Sequence, residues 1–412
     1  MADPTANGVE PEVETGTGSV IMGMDAAMTR HPQATYRALR EAGPVLRIEG
    51  ADGATIVTTS RTSEEEVLRH PEIYTSSGNA GSMGTERALI PLEIDPPVHR
   101  AWRRIVDPIF SPQRMALLEG PIEQLVHGLI DDFGDATEID FAQQFSVPFP
   151  SQVFLAMIGL PLDDLPHLLA MKDGIMRAHV VLGTHFDDPR CQAFKEKTAD
   201  EIFAYFGDAL DAREQQRTDD VLSDLLDAEI DGRPLTRDEL LEICFPLLLG
   251  GLDTVSATLD CFFAYLAEHP DHRRQIVDDP SIVRGAVEEL FRYETPLMMT
   301  PRVVAGDAIL AGCPVQAGDT VYMLHGVSNL DLDGLPDADE VRFDRDGNRH
   351  LSFGGGPHRC LGSHLARLEL RVALRVWHER IPDYRIAPGV ELEFTPVIRA
   401  TDTFPMVLGE SL

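Results

Sequence analysis

The feature that most constrains this chain is a run of roughly 30 residues, from Thr236 to His269, that is apolar along most of its length. Thr236 and Glu239 form a capping-box pattern at its start, and His269-Pro270 ends it. As one helix it spans ~45 Å at 1.5 Å per residue, enough to cross a whole domain. Its middle breaks local rules. Pro246 lacks an amide hydrogen, Gly250 and Gly251 each weaken a helix by ~1 kcal/mol, and Asp253-Thr254 sets polar groups inside an apolar stretch. A threonine hydroxyl in mid-helix can bond a carbonyl one turn back, near Gly250, and widen the turn, while the neighbouring carboxylate can relay protons. A Gly-Gly packing contact with an ordinary kink at Pro246 is the alternative. Local inconsistency inside a core helix points to function.

Elsewhere the patterning is helical from about His31 to Phe206 and from Thr236 to Tyr293, with strand-like runs at Ala54–Thr59, Val303–Val315 and Thr320–Leu324. The chain reads as mainly α with a small β portion. No repeat, no low-complexity block and no long Gly/Ser linker divides it, so one domain is expected over residues 20–412, behind a solvated acidic tail at 1–19. That tail has no apolar run that would serve as a signal core or membrane anchor. The loop Asn329 to Arg349 is long for a compact domain, which suggests it has a task.

Thirty-five Lys and Arg stand against 68 Asp and Glu, a net charge of -33, and such a field repels phosphate backbones and anionic lipid. Nucleic acid is not an expected partner. The five cysteines, Cys191, Cys244, Cys261, Cys313 and Cys360, are odd in number and scattered, which argues against a disulfide framework or a structural zinc site and for a reducing cytoplasm.

One cysteine stands apart. Phe353-Gly354-Gly355-Gly356-Pro357-His358-Arg359-Cys360-Leu361-Gly362 leads into Ser363–Arg380, where Leu365, Leu368, Val372 and Val376 recur at helical spacing until Pro382. Cys360 thus sits where a helix begins. Free amides, the helix dipole, Arg359 and His358 are each expected to lower its thiol pKa, and a thiolate binds ferric iron. Three glycines let a flat macrocycle approach the backbone, and Phe353 could shield the sulfur. A buried structural cysteine, or a nucleophile served by His358 or His364, is also compatible with the loop.

The ten-residue string resembles the haem-binding loop of the cytochrome P-450 superfamily, in which Phe, Gly, His or Arg, Cys and Gly take the places of Phe353, Gly356, His358, Cys360 and Gly362. Gly250-Gly251-Leu252-Asp253-Thr254 resembles the superfamily's oxygen-activating helix, with Pro246 departing from the commoner pattern. Glu289 and Arg292 resemble its Glu-x-x-Arg element, and Phe343-Asp344-Arg345 the segment whose arginine completes that network. Asp95-Pro96-Pro97-Val98-His99-Arg100-Ala101-Trp102-Arg103 is similar to its propionate-binding helix. Asn329-Leu330-Asp331 departs from it, since relatives often carry an arginine in the middle.

The resemblance covers about His31 to Leu408 and is nearest to bacterial hydroxylases of camphor and related terpenoids. It implies a single-domain fold enclosing haem b, with Cys360 as iron ligand and Asp253 and Thr254 managing oxygen protonation. His99, Arg103, Arg302, Phe353, His358 and Gly362 are implied as haem-binding residues, and Glu289, Arg292 and Arg345 as structural ones. Leu89, Gly250, Leu297, Met298, Met299 and Thr403 are implied to meet a small hydrophobic substrate, terpenoid-like in first place, with steroid, fatty acid or polyketide also possible.

No flavin or nicotinamide fingerprint and no iron–sulfur cysteine set is present, so electrons are expected from a separate ferredoxin and its reductase. From Val341 to Arg375 seven arginines face Asp344, Asp346 and Glu369, a balance of +4 (7 minus 3) that suits docking of an acidic ferredoxin. O2 is the co-substrate and a monomer is expected. A non-catalytic haem-thiolate sensor and a cysteine hydrolase are the rival classes. The first has no need of Asp253-Thr254 and the second holds no haem.

Overall fold

Both bonds of the capping box form. Thr236 Oγ1 accepts from the Glu239 amide at 3.3 Å, and the Glu239 carboxylate accepts from the Thr236 amide at 2.8 Å. The computed structural model describes residues 26–409 apart from 51–52, 79, 332–334 and 336, so the tail expected at 1–19 lies outside the described residues. Beyond the cap the chain is helical over Arg237–Leu252 and again over Thr254–Glu268.

The single helix expected from the sequence is therefore two, parted at Asp253, whose φ of −124° and ψ of −41° leave the helical region. Pro246 is carried inside the first helix without ending it. The break instead coincides with two hydroxyls that bond backward. Thr254 Oγ1 donates to the Gly250 carbonyl at 2.9 Å and Thr258 Oγ1 to the Thr254 carbonyl at 2.7 Å, a habit that bends helices.

By length and composition this helix pair could cross a membrane, yet 61% of its most apolar window is buried inside the protein. Its Phe245, Leu248, Phe262 and Phe263 share one core with Phe141, Phe145 and Trp377. Trp377, on the helix Ser363–Arg380, meets Phe141, Phe145 and Phe263 edge-on, with ring centroids 5.2, 4.9 and 5.1 Å away. Such pairs add about 0.5–1.5 kcal/mol each beyond the area they bury.

The fold is mainly helical, with a five-stranded sheet at one side of the core. Its strands are β1 (Val45–Ile48), β2 (Thr55–Thr58), β3 (Tyr74–Thr75), β4 (Met299–Val304) and β5 (Thr320–Leu324), in spatial order β1-β2-β5-β4-β3. β5 runs parallel to β2 and antiparallel to β4. The run expected at Val303–Val315 is the end of β4 followed by a separate hairpin, Ala308–Leu310 with Cys313–Val315. Ala311 and Gly312 make that turn at φ +46° and +86°. Strands such as Glu138–Asp140 and Tyr384–Ile386 are too short for a period of two to show in sequence.

The long Asn329–Arg349 stretch wraps a buried ion cluster. Glu289 is fully buried and accepts from Arg292 at 2.7 and 2.9 Å, from Arg345 Nε at 3.0 Å, from Asn348 Nδ2 at 2.9 Å and from the Arg342 amide at 2.9 Å. Arg292 donates its remaining hydrogens to the carbonyls of Asn329, Ala338 and Glu340, so one guanidinium closes a loop that has little regular structure of its own. Burial pushes the Glu289 carboxyl up, but the hydrogen bonds and charge of Arg292 and Arg345 outweigh it and hold the group below the usual carboxylate range.

A depressed folded pKa means that this stabilisation is present above the unfolded value of about 4.3 and is lost as pH falls through the folded one. Glu289→Ala leaves the buried Arg292 without a carboxylate and Arg345 with Asp337 alone. It is expected to cost about 3–5 kcal/mol in urea unfolding at pH 7, with a smaller cost below pH 4. Equal costs at both pH values would contradict the assigned ionisation.

Candidate active site

The helix break and the cysteine loop line the same cavity, of about 470 Å³. Gly250, Gly251, Thr254 and Val255 face it from the helix pair, and Phe353, Cys360, Leu361 and Gly362 from the loop. Most of the remaining wall is apolar, from residues such as Phe154, Met176, Leu247 and Ile398.

Within the loop, the Cys360 amide donates to the Phe353 carbonyl at 2.9 Å, which folds the segment back on itself. Gly356 takes φ +62°, and a Cβ there would stand 2.2 Å from the Leu68 carbonyl oxygen. Gly355 faces the Leu68 side chain in the same way, at 3.2 Å. Gly355 and Gly356 therefore serve the turn and its packing on the helix Arg61–Arg69, while Gly354, where a Cβ would meet nothing within 4 Å, lines the cavity. Cys360 has accessible surface, and the cavity is what it opens onto. Burial raises its thiol pKa; the Gly362 amide and the charges of Arg103, Arg367 and Arg359 only oppose the rise. The lowering expected from the helix start is thus overturned by desolvation.

Cationic and ring nitrogen groups gather at one edge of the cavity. His99 is buried, both its ring nitrogens lack a partner among the described residues, and burial pulls its pKa down to about 4. Its ring stands 4.4 Å from that of His358, whose Nε2 is 3.2 Å from Asp95 Oδ1. Arg103 donates to the Arg359 carbonyl at 3.1 Å and pairs with Asp107 at 2.7 Å. Arg302 bonds the Pro301 carbonyl at 2.7 Å and has no ion pair among the described residues; burial brings its pKa down to about 10. Unpartnered buried donors of this kind are costly unless an anion completes them. A sulfur, an apolar chamber and a cationic edge together fit a haem with its two carboxylates.

At the helix break, Thr254 lines the cavity, while Asp253 is buried and turned to Lys172, whose Nζ donates to Asp253 Oδ1 at 2.9 Å and lies 2.7 Å from Asp173 Oδ1. Sequence reasoning missed Lys172. A single lysine beside the apolar Ala170 and Met171 in Leu165–Met176 was the available signal. Glu369, counted from the sequence among the surface charges, instead lines the cavity, and burial raises its pKa well above the ordinary value.

Of the residues expected to meet substrate, Gly250 and Leu297 line the cavity. Leu89, Met298, Met299 and Thr403 do not. Met298 and Met299 are buried with Tyr36, Val57 and Leu324 in a separate cluster. Leu89 is fully buried and its neighbour Ile90 reaches the cavity instead. Thr403 is exposed, its carbonyl accepting from Thr401 Oγ1.

These features define the class as a haem-thiolate enzyme. The chain matches the Cytochrome P450 family model over residues 20–376, and it belongs to that family of haem-thiolate monooxygenases. Probable cytochrome P450 127A1 of Sinorhizobium fredii is 31% identical over 376 residues, covering 89% of this chain and 87% of that one. Mycinamicin IV hydroxylase/epoxidase of Micromonospora griseorubida is 32% identical over 309 residues, 74% of this chain and 75% of its own. Among solved structures, a mutant of P450 EryK in complex with erythromycin B aligns with a TM-score of 0.82 at 28% identity, over 93% of this chain and 98% of that one.

The two glycines at the break separate in their packing. A Cβ at Gly251 would fall 2.2 Å from the Phe154 ring, whereas at Gly250 it meets nothing within 4 Å. Gly251→Ala is expected to destabilise by about 1–3 kcal/mol through overpacking. Gly250→Ala should gain up to about 1 kcal/mol of helix propensity and intrude on the cavity. Thermal unfolding of the two variants, together with ligand-induced spectral shifts, checks the contrast.

Proposed function

We propose that residues 20–412 act as one haem-enclosing unit that hydroxylates an unactivated C–H bond of a compact hydrophobic substrate, with electrons from a separate ferredoxin. The observation that carries this reading is that Cys360 and the Asp253-Thr254 break line or border one apolar chamber. When bound, the haem supplies reductive activation of O2 and transfer of one oxygen atom. Cys360 Sγ holds the iron, and His99, Arg103, Arg302 and His358 hold the carboxylates. Phe353, which packs on Phe291 at 4.6 Å, screens the sulfur from water. The Thr254 hydroxyl, whose hydrogen is spent on the Gly250 carbonyl, would offer its oxygen lone pairs as an acceptor toward the cavity, and Asp253, held by Lys172, would carry protons toward that side.

The substrate fits a compact terpenoid, because the same chamber has to hold cofactor and substrate and its wall is rigid and apolar. A polyketide is the second reading, favoured by the macrolide names attached to two of the similar proteins. The absence of a flavin or nicotinamide fingerprint supports an external reductant, and the scattered free cysteines support a cytoplasmic setting. Arg367 and Arg375 are engaged by Glu288 and Glu123. Arg100, Arg104, Arg349 and Arg359 are exposed and form no ion pair among the described residues, which makes them the better ferredoxin-docking candidates.

With haem supplied, the wild-type protein should show the thiolate-type Soret shift under reduction and carbon monoxide, and Cys360→Ala should lose it; a shift that survives the substitution would overturn the ligand assignment. Thr254→Ala is expected to retain that signature and substrate binding. Its product yield per electron should fall about 10-fold or more, the range for loss of a group that positions a proton transfer. Arg359→Glu should slow ferredoxin reduction and flatten its salt dependence, and stopped-flow rates at two ionic strengths measure both.

A further inference from the structure

The Phe353 ring is held from several sides. The Arg367 guanidinium carbon stands 4.3 Å from its centroid, and the rings of Phe291 and His350 lie 4.6 and 5.6 Å away. Phe291 and His350 are themselves stacked, at 5.6 Å and 14°. Because the Phe353 carbonyl also accepts the Cys360 amide, whatever fixes this residue fixes the loop that carries the sulfur.

Two of these neighbours end on one carboxylate. Glu288 and Phe291 are one turn apart on the helix Val283–Glu294, so they share a face of it. Arg367, on the helix Ser363–Arg380, forks onto Glu288 with Nε donating to Oε1 at 2.6 Å and Nη2 to Oε2 at 2.9 Å, while its Nη1 donates to the Ser363 carbonyl at 3.4 Å. His350 Nδ1 accepts from the Ser352 amide at 3.3 Å, which leaves the ring hydrogen on Nε2, and Nε2 donates to Glu288 Oε2 at 3.1 Å. Burial pulls the His350 pKa down, in keeping with a neutral ring. Burial pushes the Glu288 carboxyl up, but the hydrogen bonds of His350 and Arg367 outweigh it and bring the group to about 2.

The side chains of Arg367 and Glu288 are 21% and 25% exposed. A guanidinium that reaches water to this extent has solvent as an alternative to the ring, and the forked bond to Glu288 removes that alternative. Arg367 is also among the arginines whose charge acts on the Cys360 thiol.

We propose that Glu288 and His350 are positioning residues that keep Arg367 seated on the Phe353 ring, so that one fixed positive charge stands beside the Cys360 sulfur and moderates its electron donation to a bound iron. This rests on the haem-thiolate reading. It gives Arg367 a task inside the site, distinct from the docking role of the exposed Arg359.

The test compares haem-loaded wild type with Arg367→Leu, Glu288→Gln, the double variant, and His350→Phe. Three readouts are used: the C–O stretching frequency of the reduced carbon monoxide form, the midpoint potential, and the rate at which that form loses its thiolate signature in dilute urea. Arg367→Leu should lower the frequency and the potential, because a sulfur relieved of a nearby cation donates more strongly. It should also speed the loss about two- to fivefold, the range for one cation–π contact at a partly exposed site. Glu288→Gln should move all three readouts the same way, and the double variant should match Arg367→Leu. His350→Phe keeps the ring stack and gives up the hydrogen bond, so it should move them part of the way.

The sign separates positioning from direct electrostatics. A carboxylate acting by its own charge would, once neutralised, raise the frequency and the potential, so a rise in Glu288→Gln overturns the proposal. Wild-type values in Arg367→Leu overturn it too, as do additive shifts in the double variant. Should His350→Phe fail to fold, the other three variants decide. A wild type that shows no thiolate signature sinks the wider reading instead, before any variant is made.

Discussion

An apolar chamber inside a close-packed protein persists only if its walls cannot fall inward, and this requirement governs the structure. Empty interior volume is destabilising, so each wall must be held by something other than the chamber's own contacts. The ion cluster around Glu289 performs this on the loop side, where one carboxylate gathers two arginines, an asparagine and a backbone amide. On the opposite side the aromatic group about Trp377 locks the cysteine helix against Phe141, Phe145 and Phe263. Between them the cavity is bounded by rigid elements.

Within that frame, the chemistry lies where local rules are broken. The central helix gives up its continuity at Asp253, and hydroxyls take over hydrogen bonds to the carbonyls of Gly250 and Thr254. The cysteine loop accepts a positive φ at Gly354 and Gly356, and places a sulfur in an environment that disfavours its free thiolate. The cationic edge leaves the His99 nitrogens without partners among the described residues. The disfavoured thiolate and the orphaned His99 nitrogens cost stability in the polypeptide alone, a cost that a metal-bearing, dianionic macrocycle would offset.

The sequence resolved some parts of this site far better than others. The capping box at Thr236, the back-bonded Thr254, and the Glu289–Arg292–Arg345 cluster were all legible, because each rests on fixed spacing along a helix or on a dense local string. The substrate wall was not. Met298 and Met299 were read as lining it, yet both are buried in a separate cluster, and Ile90 stands where Leu89 was expected. One residue of register along an extended segment reverses which side chain faces the cavity, and no pattern in so short a segment sets that register.

What the sequence alone determined was the set of local rules and their violations: helical periodicity, the capping box, the glycine loop ending in Cys360, and a polar pair inside an apolar run. These are short-range properties, written within a few residues of one another. Only the tertiary structure decided which distant groups meet. Lys172 reaches Asp253, Arg367 is taken by Glu288, and Glu64 reaches Thr300 through His325. Desolvation, which reverses the expected acidity of Cys360, likewise depends on everything packed around the sulfur and not on its neighbours in the chain.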